Sequence, residues 1–521
     1  MRNSYIFSLI DNSIRKLYNI EAQIQLDKPK NPEFGDIATN IALQLNKSLK
    51  KPPMILADEI LKSLEYDTEF ISNVNVANPG FINFKLTPKY YQIELKSIIE
   101  KGSNFGESDS GIGKSINVEY VSANPTGLLH LGHGRNAVIG DTVANLFKWI
   151  GYSVTREYYF NNAGNQMNNL GKSIHARYKQ LKDENYPFPE DGYHGEYVKE
   201  IAGLLFEKYN EQLEEPNEEN LAVCRKFGEE WCFKAILATL EKLNIKQDIF
   251  YNEDTLYKDG KIEEVINEFR QKGLAYDKDG AIWLKLSEMG LTDDRVIVKS
   301  TGEPTYRLPD IAYHREKLNR GYDLIVDIFG ADHIATVPDV IAGIKALGYN
   351  SDKVKVLIHQ FITLTEGGQQ VKMSKRTGKS YTLDDLLEEV GSDVVRFFLI
   401  MRSINTHLEF DLALAREQSE KNPVYYLQYA HARICSIIEK AKENGINIDD
   451  IIPDLSQLTA NEEINLIKEI MKFPEIIESS ALKYEPQVLA EYLREVASAF
   501  HIFYHNCRII GSEENLRDAR L

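Results

Sequence analysis

Two histidines three residues apart, His130 and His133, stand at a strand-to-helix transition with Gly132 and Gly134 interleaved. Residues 116–121, Ile-Asn-Val-Glu-Tyr-Val, have the β-branched and aromatic content of a strand, which Asn124-Pro125 and Gly127 interrupt. Beyond Gly134, the apolar residues Ile139, Val143, Leu146, Phe147 and Ile150 recur at helical spacing. The histidines therefore fall at a helix N-terminus, where unpaired backbone N–H groups and the positive end of the helix dipole attract phosphate. Glycine lets a bound group approach the backbone, and imidazole N–H groups donate to phosphate oxygens. Alone, H-x-G-H is short enough to arise by chance and reads equally as a pair of turn histidines. A second stretch, Lys372-Met373-Ser374-Lys375, follows Gly367-Gly368 and supplies a basic, glycine-flanked loop. Alone, such a run is a solvated charged turn. Together the two provide cations and donors for a polyphosphate.

The elements that must position these groups are those of a nucleotide-binding sheet. Residues 154–160 read as a second strand. The run Leu324-Ile325-Val326-Asp327-Ile328-Phe329 is almost continuously apolar, as parallel strands buried on both faces are. It ends at Gly330-Ala331-Asp332-His333, and ligands gather at strand C-termini in such sheets. Residues 354–357 form the next strand, and the K-M-S-K loop follows. Between about 170 and 270 the chain is rich in Glu and Lys, with Ile236, Leu240 and Leu243 at helical spacing, which predicts a helical insertion. Gly113-Lys114-Ser115 imitates the end of a phosphate-binding P-loop. The first glycine of that motif is Ser108 here, and a strand follows where a helix is required, so the segment is a linker. Upstream, Asp36 is placed as the N-cap of a helix with the stripe Ile37, Ile41, Ala42, Leu45 and Leu49, which Pro52-Pro53 ends. Asn78-Pro79-Gly80 is a turn feeding a short alternating strand. Beyond about 411 only amphipathic helices are expected.

A chain of 521 residues exceeds one core, so two to four domains are expected. The 43% hydrophobic content suits a globular protein, and no 18-residue apolar run predicts a membrane span. The first residues lack the apolar core of a signal peptide. Cys224, Cys232, Cys435 and Cys507 show no metal spacing and are expected to be reduced thiols. The net charge of −17 argues against nonspecific nucleic-acid binding, although a local basic face is what an RNA partner requires.

Taken jointly, the H-L-G-H and K-M-S-K runs resemble the two signatures of class I aminoacyl-tRNA synthetases. The runs Phe34–Asn40 and Asn78–Phe84, together with Thr305-Tyr306-Arg307-Leu308-Pro309-Asp310-Ile311-Ala312-Tyr313-His314, resemble the arginyl branch of that family across essentially the whole chain. The resemblance implies an α/β catalytic core, a Rossmann-like doubly wound parallel sheet, with a small α+β N-terminal domain and an all-α C-terminal domain. Expected boundaries are 1–105 for a domain touching the tRNA D-loop, 106–410 for the catalytic domain with its insertion at about 170–270, and 411–521 for a helical anticodon-binding domain lacking its last helix. The implied activity joins L-arginine to tRNA(Arg) through an arginyl-adenylate, with ATP and Mg²⁺, no structural zinc, no DNA and no membrane, in a cytoplasmic monomer. Another class I synthetase, or a non-catalytic RNA-binding paralogue, is the alternative.

By family position, His130, Gly132, His133, Gly330, Asp332, Lys372, Met373, Ser374 and Lys375 bind ATP. His130, His133, Lys372 and Lys375 carry the catalysis. Glu119 and Asp310 hold the guanidinium, Tyr306 shapes the pocket and Asn124 holds the α-amino group. Asn78, Phe81 and Asn83 contact tRNA at the N-terminal domain, and Tyr429 and Arg433 do so at the C-terminal one. Two positions depart from the family's pattern. Asn162 stands where Asp is usual, and Gly127 stands where family members without an orthodox K-M-S-K carry a lysine.

Overall fold

The computed structural model describes residues 4–29, 31–371 and 381–521. Five parallel strands form the central sheet: β1 (Ser115–Glu119), β2 (Ser153–Phe160), β3 (Ile249–Asn252), β4 (Leu324–Gly330) and β5 (Val354–His359). Their spatial order is β5-β4-β1-β2-β3. The chain winds outward from β1 on one side and then returns to its other side, so the switch point of this doubly wound sheet lies between β1 and β4. Helix α1 (Leu131–Trp149) connects β1 to β2. Helices α2 (Gly164–Gln180), α3 (Glu196–Tyr209) and α4 (Glu218–Lys242) lie between β2 and β3. Helix α5 (Arg307–Asn319) precedes β4, and α6 (Val337–Ala346) joins β4 to β5. Among the described residues, no helix is long and apolar enough to cross a membrane.

Three expectations are corrected. The helical stretch after β2 is not continuous to 270: it breaks at Lys242, Ile249–Asn252 enters the central sheet as its edge strand, and helices resume at Asp254–Lys258 and Lys261–Gln271. Four residues are too few to show a period, but Phe250 packs 5.6 Å from the Tyr158 ring and 5.5 Å from that of Phe233. Asp36 caps no helix. Ile37–Thr39 pairs antiparallel with Ile82–Phe84, as β-branched residues favour, and the helix begins only at Ile41. The Asp36 carboxylate instead accepts the Leu86 N–H at 2.8 Å and pairs with Lys468 at 2.6 Å. Finally, the strand expected over 116–121 ends at Glu119, because Val121 and Ser122 adopt left-handed φ angles of 69° and 43°.

The chain divides into two compact units, one of Met1–Glu107, Tyr425–Ser479 and Glu491–Leu521, the other of Ser108–Val424 with Ser480–Ala490. In the first, residues distant in sequence share a core: Ile6, Ile10 and Ile14 of one helix, Phe84 of a three-stranded antiparallel sheet, and Ile464 and Ile467 of the helix Asn461–Met471. The second unit is built around the central sheet, and two of its strands are joined by a wholly buried lysine. Lys317, from α5, donates to Glu119 at the end of β1 (2.7 Å) and to Asp327 in β4 (2.5 Å). Burial opposes ionisation of Asp327, but Lys317 and His314 outweigh it and hold that carboxyl well below its usual range. Buried charges persist only when paired in this way. Lys317→Ala would leave two buried carboxylates without their cation and is expected to cost about 3–5 kcal/mol. Urea denaturation measures this, and a loss under about 1 kcal/mol would show that water replaces the ammonium.

Candidate active site

The phosphate end of the site is built by the two histidines on themselves. His130 is the N-cap of α1 and His133 is its third residue. The His133 N–H donates to His130 Nδ1 at 3.3 Å, and the His130 N–H donates to His133 Nδ1 at 3.4 Å. The rings stack with centroids 3.7 Å apart. A Cβ on Gly132 would stand 2.9 Å from His130 Cε1, so the glycine makes room for the stacked pair. Because both Nδ1 atoms accept, each neutral ring carries its proton at Nε2 and is a donor there. Burial, with His130 and His359 nearby, pushes His133 down to about 3, so its ring is neutral at physiological pH.

Two side chains of α1 that the sequence reading missed place this cap at the switch point. Asn136 accepts the N–H of left-handed Val121 at 2.6 Å and donates to the Ile328 carbonyl of β4 at 2.7 Å. Arg135 is fully buried and donates to the carbonyls of Gln360 (2.8 Å), Ser403 (3.0 Å) and Thr406 (3.1 Å). Burial lowers its guanidinium to about 10. Gly330 ends β4, and Asp332 lies exposed just beyond it. Lys372, Met373, Ser374 and Lys375 lie outside the described residues.

The turn after β1 is held from both sides. Asn124 accepts the Asn161 N–H at 3.0 Å and donates to Gln166 at 3.0 Å. Asn162 donates to Glu229 of α4 at 2.7 Å, so the departing amide faces a carboxylate, where an aspartate would meet like charge. Tyr197 of α3 donates to the Thr126 carbonyl at 2.7 Å, and its oxygen lies 3.0 Å from where a Cβ on Gly127 would stand. The space next to Gly127 is therefore taken by that tyrosine.

The acids of the site sort into two groups. Glu119 is committed: its carboxylate receives Lys317 at 2.7 Å and the Ser122 hydroxyl at 2.9 Å. Asp310, in the first turn of α5, is not spoken for in this way. It lines a cleft with His314, Phe329, His333, Thr336 and Val337. Burial pushes its carboxyl up to about 7, with the charge of Glu253 adding to the rise. Glu253 follows the unforeseen strand β3, is itself raised by burial, and accepts from Tyr159 at 2.7 Å and Asn161 at 2.8 Å. Its only sequence signal is an acid at the C-terminal end of a strand too short to recognise. Tyr306 lies just ahead of α5 and is 79% exposed. Among the described residues no group of three His, Cys, Asp or Glu side chains is placed to hold a metal ion.

In the other unit, Asn78 is exposed and Phe81 half-buried, while Asn83 is buried and donates to Asn75 at 3.1 Å. Arg433 donates to the Tyr429 hydroxyl at 2.7 Å and lies over that ring at 4.2 Å, with Tyr504 at 4.9 Å.

Comparison with known proteins gives this geometry a lineage. Residues 5–86 match the arginyl tRNA synthetase N-terminal domain, 94–397 the catalytic domain of class I (R) tRNA synthetases, and 427–521 the DALR anticodon binding domain. The chain is 48% identical over 518 residues to an arginine–tRNA ligase of Salinibacter ruber, covering 96% of this chain and 92% of that one. It is 47% identical over 497 residues to one of Desulfotalea psychrophila, with 95% and 90% covered. Among solved structures it is similar to an arginyl-tRNA synthetase of Campylobacter jejuni at 34% identity and a TM-score of 0.77, over 83% of this chain and 94% of that one. The Thermus thermophilus arginyl-tRNA synthetase, at 21% identity and a TM-score of 0.76, shares the fold over 100% of this chain and 96% of that one. With a doubly wound sheet, a histidine-capped helix at its switch point and these full-length likenesses, the chain belongs to the arginyl-tRNA synthetase family of class I aminoacyl-tRNA synthetases.

Proposed function

We infer that this chain is an arginine–tRNA ligase that activates L-arginine with ATP and transfers it to the 3′-terminal ribose of tRNA(Arg), acting as a cytoplasmic monomer. In the first step a carboxylate oxygen of arginine attacks the α-phosphorus of ATP, an O–P bond forms, and the bond to pyrophosphate breaks. Little covalent help is available to the protein, so positioning and charge stabilisation carry the rate. The Nε2–H groups of His130 and His133 donate to phosphate oxygens at the α1 N-terminus. Lys375, with Lys372, neutralises the charge growing on pyrophosphate. Further charge neutralisation would come from Mg²⁺ brought in on the triphosphate oxygens, since no metal-holding group of side chains is present among the described residues. In the second step the ribose hydroxyl attacks the arginyl carbonyl carbon and AMP leaves. Asn78 and Phe81 of the N-terminal domain, and Tyr429 and Arg433 of the helical one, contact the tRNA.

The observation that supports arginine is the pair Asp310 and Glu253, two carboxyls raised by burial, with the charge of Glu253 adding to the rise at Asp310. A guanidinium offsets the burial of such carboxylates by donating in a planar fork. Glu119, committed to Lys317, serves this pair as the support beneath it rather than as a third ligand. Asn124 faces the substrate's α-amino end, and exposed Tyr306 covers the pocket once arginine is bound.

Arginine-dependent ATP–pyrophosphate exchange, with and without tRNA(Arg), tests the reading as a whole. Absence of exchange under both conditions would overturn it. Asp310→Ala should lower kcat/KM for arginine by about 10²–10³, leave the ATP KM little changed, and wild type should reject citrulline. The pH dependence has a definite sign. In the empty pocket Asp310 keeps its proton up to about 7, whereas the unfolded chain ionises near 4, so its contribution to stability is lost as pH rises through that interval. Arginine favours the ionised form, so binding below pH 7 releases a proton and the arginine KM falls as pH rises from about 6 to 7.5. A KM flat across that range would count against Asp310 as the guanidinium's partner. Lys375→Ala should slow adenylate formation about 10²–10³-fold with arginine affinity unchanged, measured by single-turnover kinetics.

A further inference from the structure

We propose that His359 recognises the nucleoside half of the bound nucleotide, its Nε2 accepting a hydrogen bond from a ribose hydroxyl or from the exocyclic amine of the base. This rests on the adenylate-forming reading above.

His359 is the last residue of β5 and lies in register with Gly330, the last of β4. Its ring Cε1 is 3.9 Å from where a Cβ on Gly330 would stand, and an Asp332 carboxylate oxygen is 2.5 Å from the same point. The ring is also within electrostatic reach of His130, His133 and Arg135. It therefore lies on the side of the switch point away from the sheet's β2–β3 half, at the strand ends where a nucleoside extends when its phosphates sit on the helix after β1.

The hydrogen bonding of the ring decides what it can bind. Nδ1 lies 3.2 Å from the Gln360 carbonyl, and a carbonyl only accepts, so Nδ1 carries the proton. Burial and the Arg135 charge hold the imidazole down near 4, and the ring is neutral. Nε2 is then a lone pair, with no partner among the described residues, in a residue only 7% exposed. That is the reverse of His130 and His133, whose Nδ1 atoms accept and whose Nε2 atoms donate. A phosphate has only acceptor oxygens to offer and cannot satisfy a lone pair. Hydroxyls and amines can, and these are what the nucleoside carries.

The test uses the full-length enzyme in arginine-dependent pyrophosphate exchange with four nucleotides: ATP, 2′-deoxy-ATP, 3′-deoxy-ATP and purine riboside triphosphate, which lacks the amine. Wild type is expected to penalise the one analogue that lacks the bonded donor by about tenfold in kcat/KM, the upper range for one hydrogen bond. In His359→Leu that penalty should vanish while the other two keep their wild-type ratios, and the ATP KM should rise about tenfold with kcat nearly unchanged. His359→Gln, which keeps an acceptor, should restore discrimination. Each ratio is internal to one protein sample, so a partly unfolded variant does not bias it. Unchanged ratios for all three analogues in His359→Leu would overturn the proposal, as would a rise in the KM values of arginine and ATP alike. Should the leucine variant not fold, ¹⁵N-histidine NMR of the wild type decides the tautomer, and a proton at Nε2 of His359 overturns the proposal equally. Wild-type enzyme without any exchange would instead defeat the ligase reading itself.

Discussion

Adjacent parallel strands whose connections depart in opposite directions leave a gap above their C-terminal ends that no backbone crosses. Here the strands are β1 and β4, and side chains must hold the gap to a fixed width. Below it, Lys317 pins Glu119 to Asp327. Above it, Asn136 takes the Val121 N–H with its carbonyl and the Ile328 carbonyl with its amide. A β-branched residue at φ 69° costs about 1–3 kcal/mol and persists only where its surroundings over-determine it. The Asn136 bond and the buried valine side chain do so. The strained turn in exchange lets the chain leave β1 and start α1 with His130 at the crevice rather than over β2.

The same crevice shows how little a residue type says before its hydrogen bonds are known. His130, His133 and His359 gather at one place, and the first two present donors because their Nδ1 atoms accept backbone N–H groups. The third faces a carbonyl instead, which reverses its polarity. Among the acids the sorting is done by partners as well. Glu119 and Asp327 share a buried lysine, which leaves Asp327 lowered although burial still raises Glu119. Asp310 and Glu253 bond no cation among the described residues, burial raises both, and the charge of Glu253 adds to the rise at Asp310.

This explains which parts of the molecule were legible beforehand. The strand–turn–helix around His130 carries its own punctuation, and β4 announces itself because a strand covered on both faces must be continuously apolar. Ile37–Thr39 and Ile249–Asn252 are three and four residues long, below any period, and they are strands only because a partner strand exists far away in sequence. Glu253 inherits that obscurity. Lys317 and Arg135 were unreadable for another reason: charged side chains are ordinarily solvated, and nothing local distinguishes one that is wholly buried. Asn162 is the intermediate case. Its departure from the family's pattern was visible, but its compensation by Glu229 lies 67 residues away on another helix.

The commitment of Glu119 also bears on how the proposed pocket selects its substrate. Were Glu119, Asp310 and Glu253 all uncompensated, the empty pocket would gather enough negative charge to accept many cations loosely. Lys317, shared with Asp327, gives Glu119 a bonded cation although burial still raises its carboxyl, and it leaves two acids opposed by burial with no cation bonded to them among the described residues. Such a pair is uncomfortable until a cation arrives that can donate to both, and a planar guanidinium meets that requirement better than a point ammonium or a neutral ureido group. Selectivity then comes from the unfavourable state of the unliganded acids as much as from the bonds they form. Lys317 contributes to it without touching the substrate, by fixing how many carboxylates remain without a bonded cation.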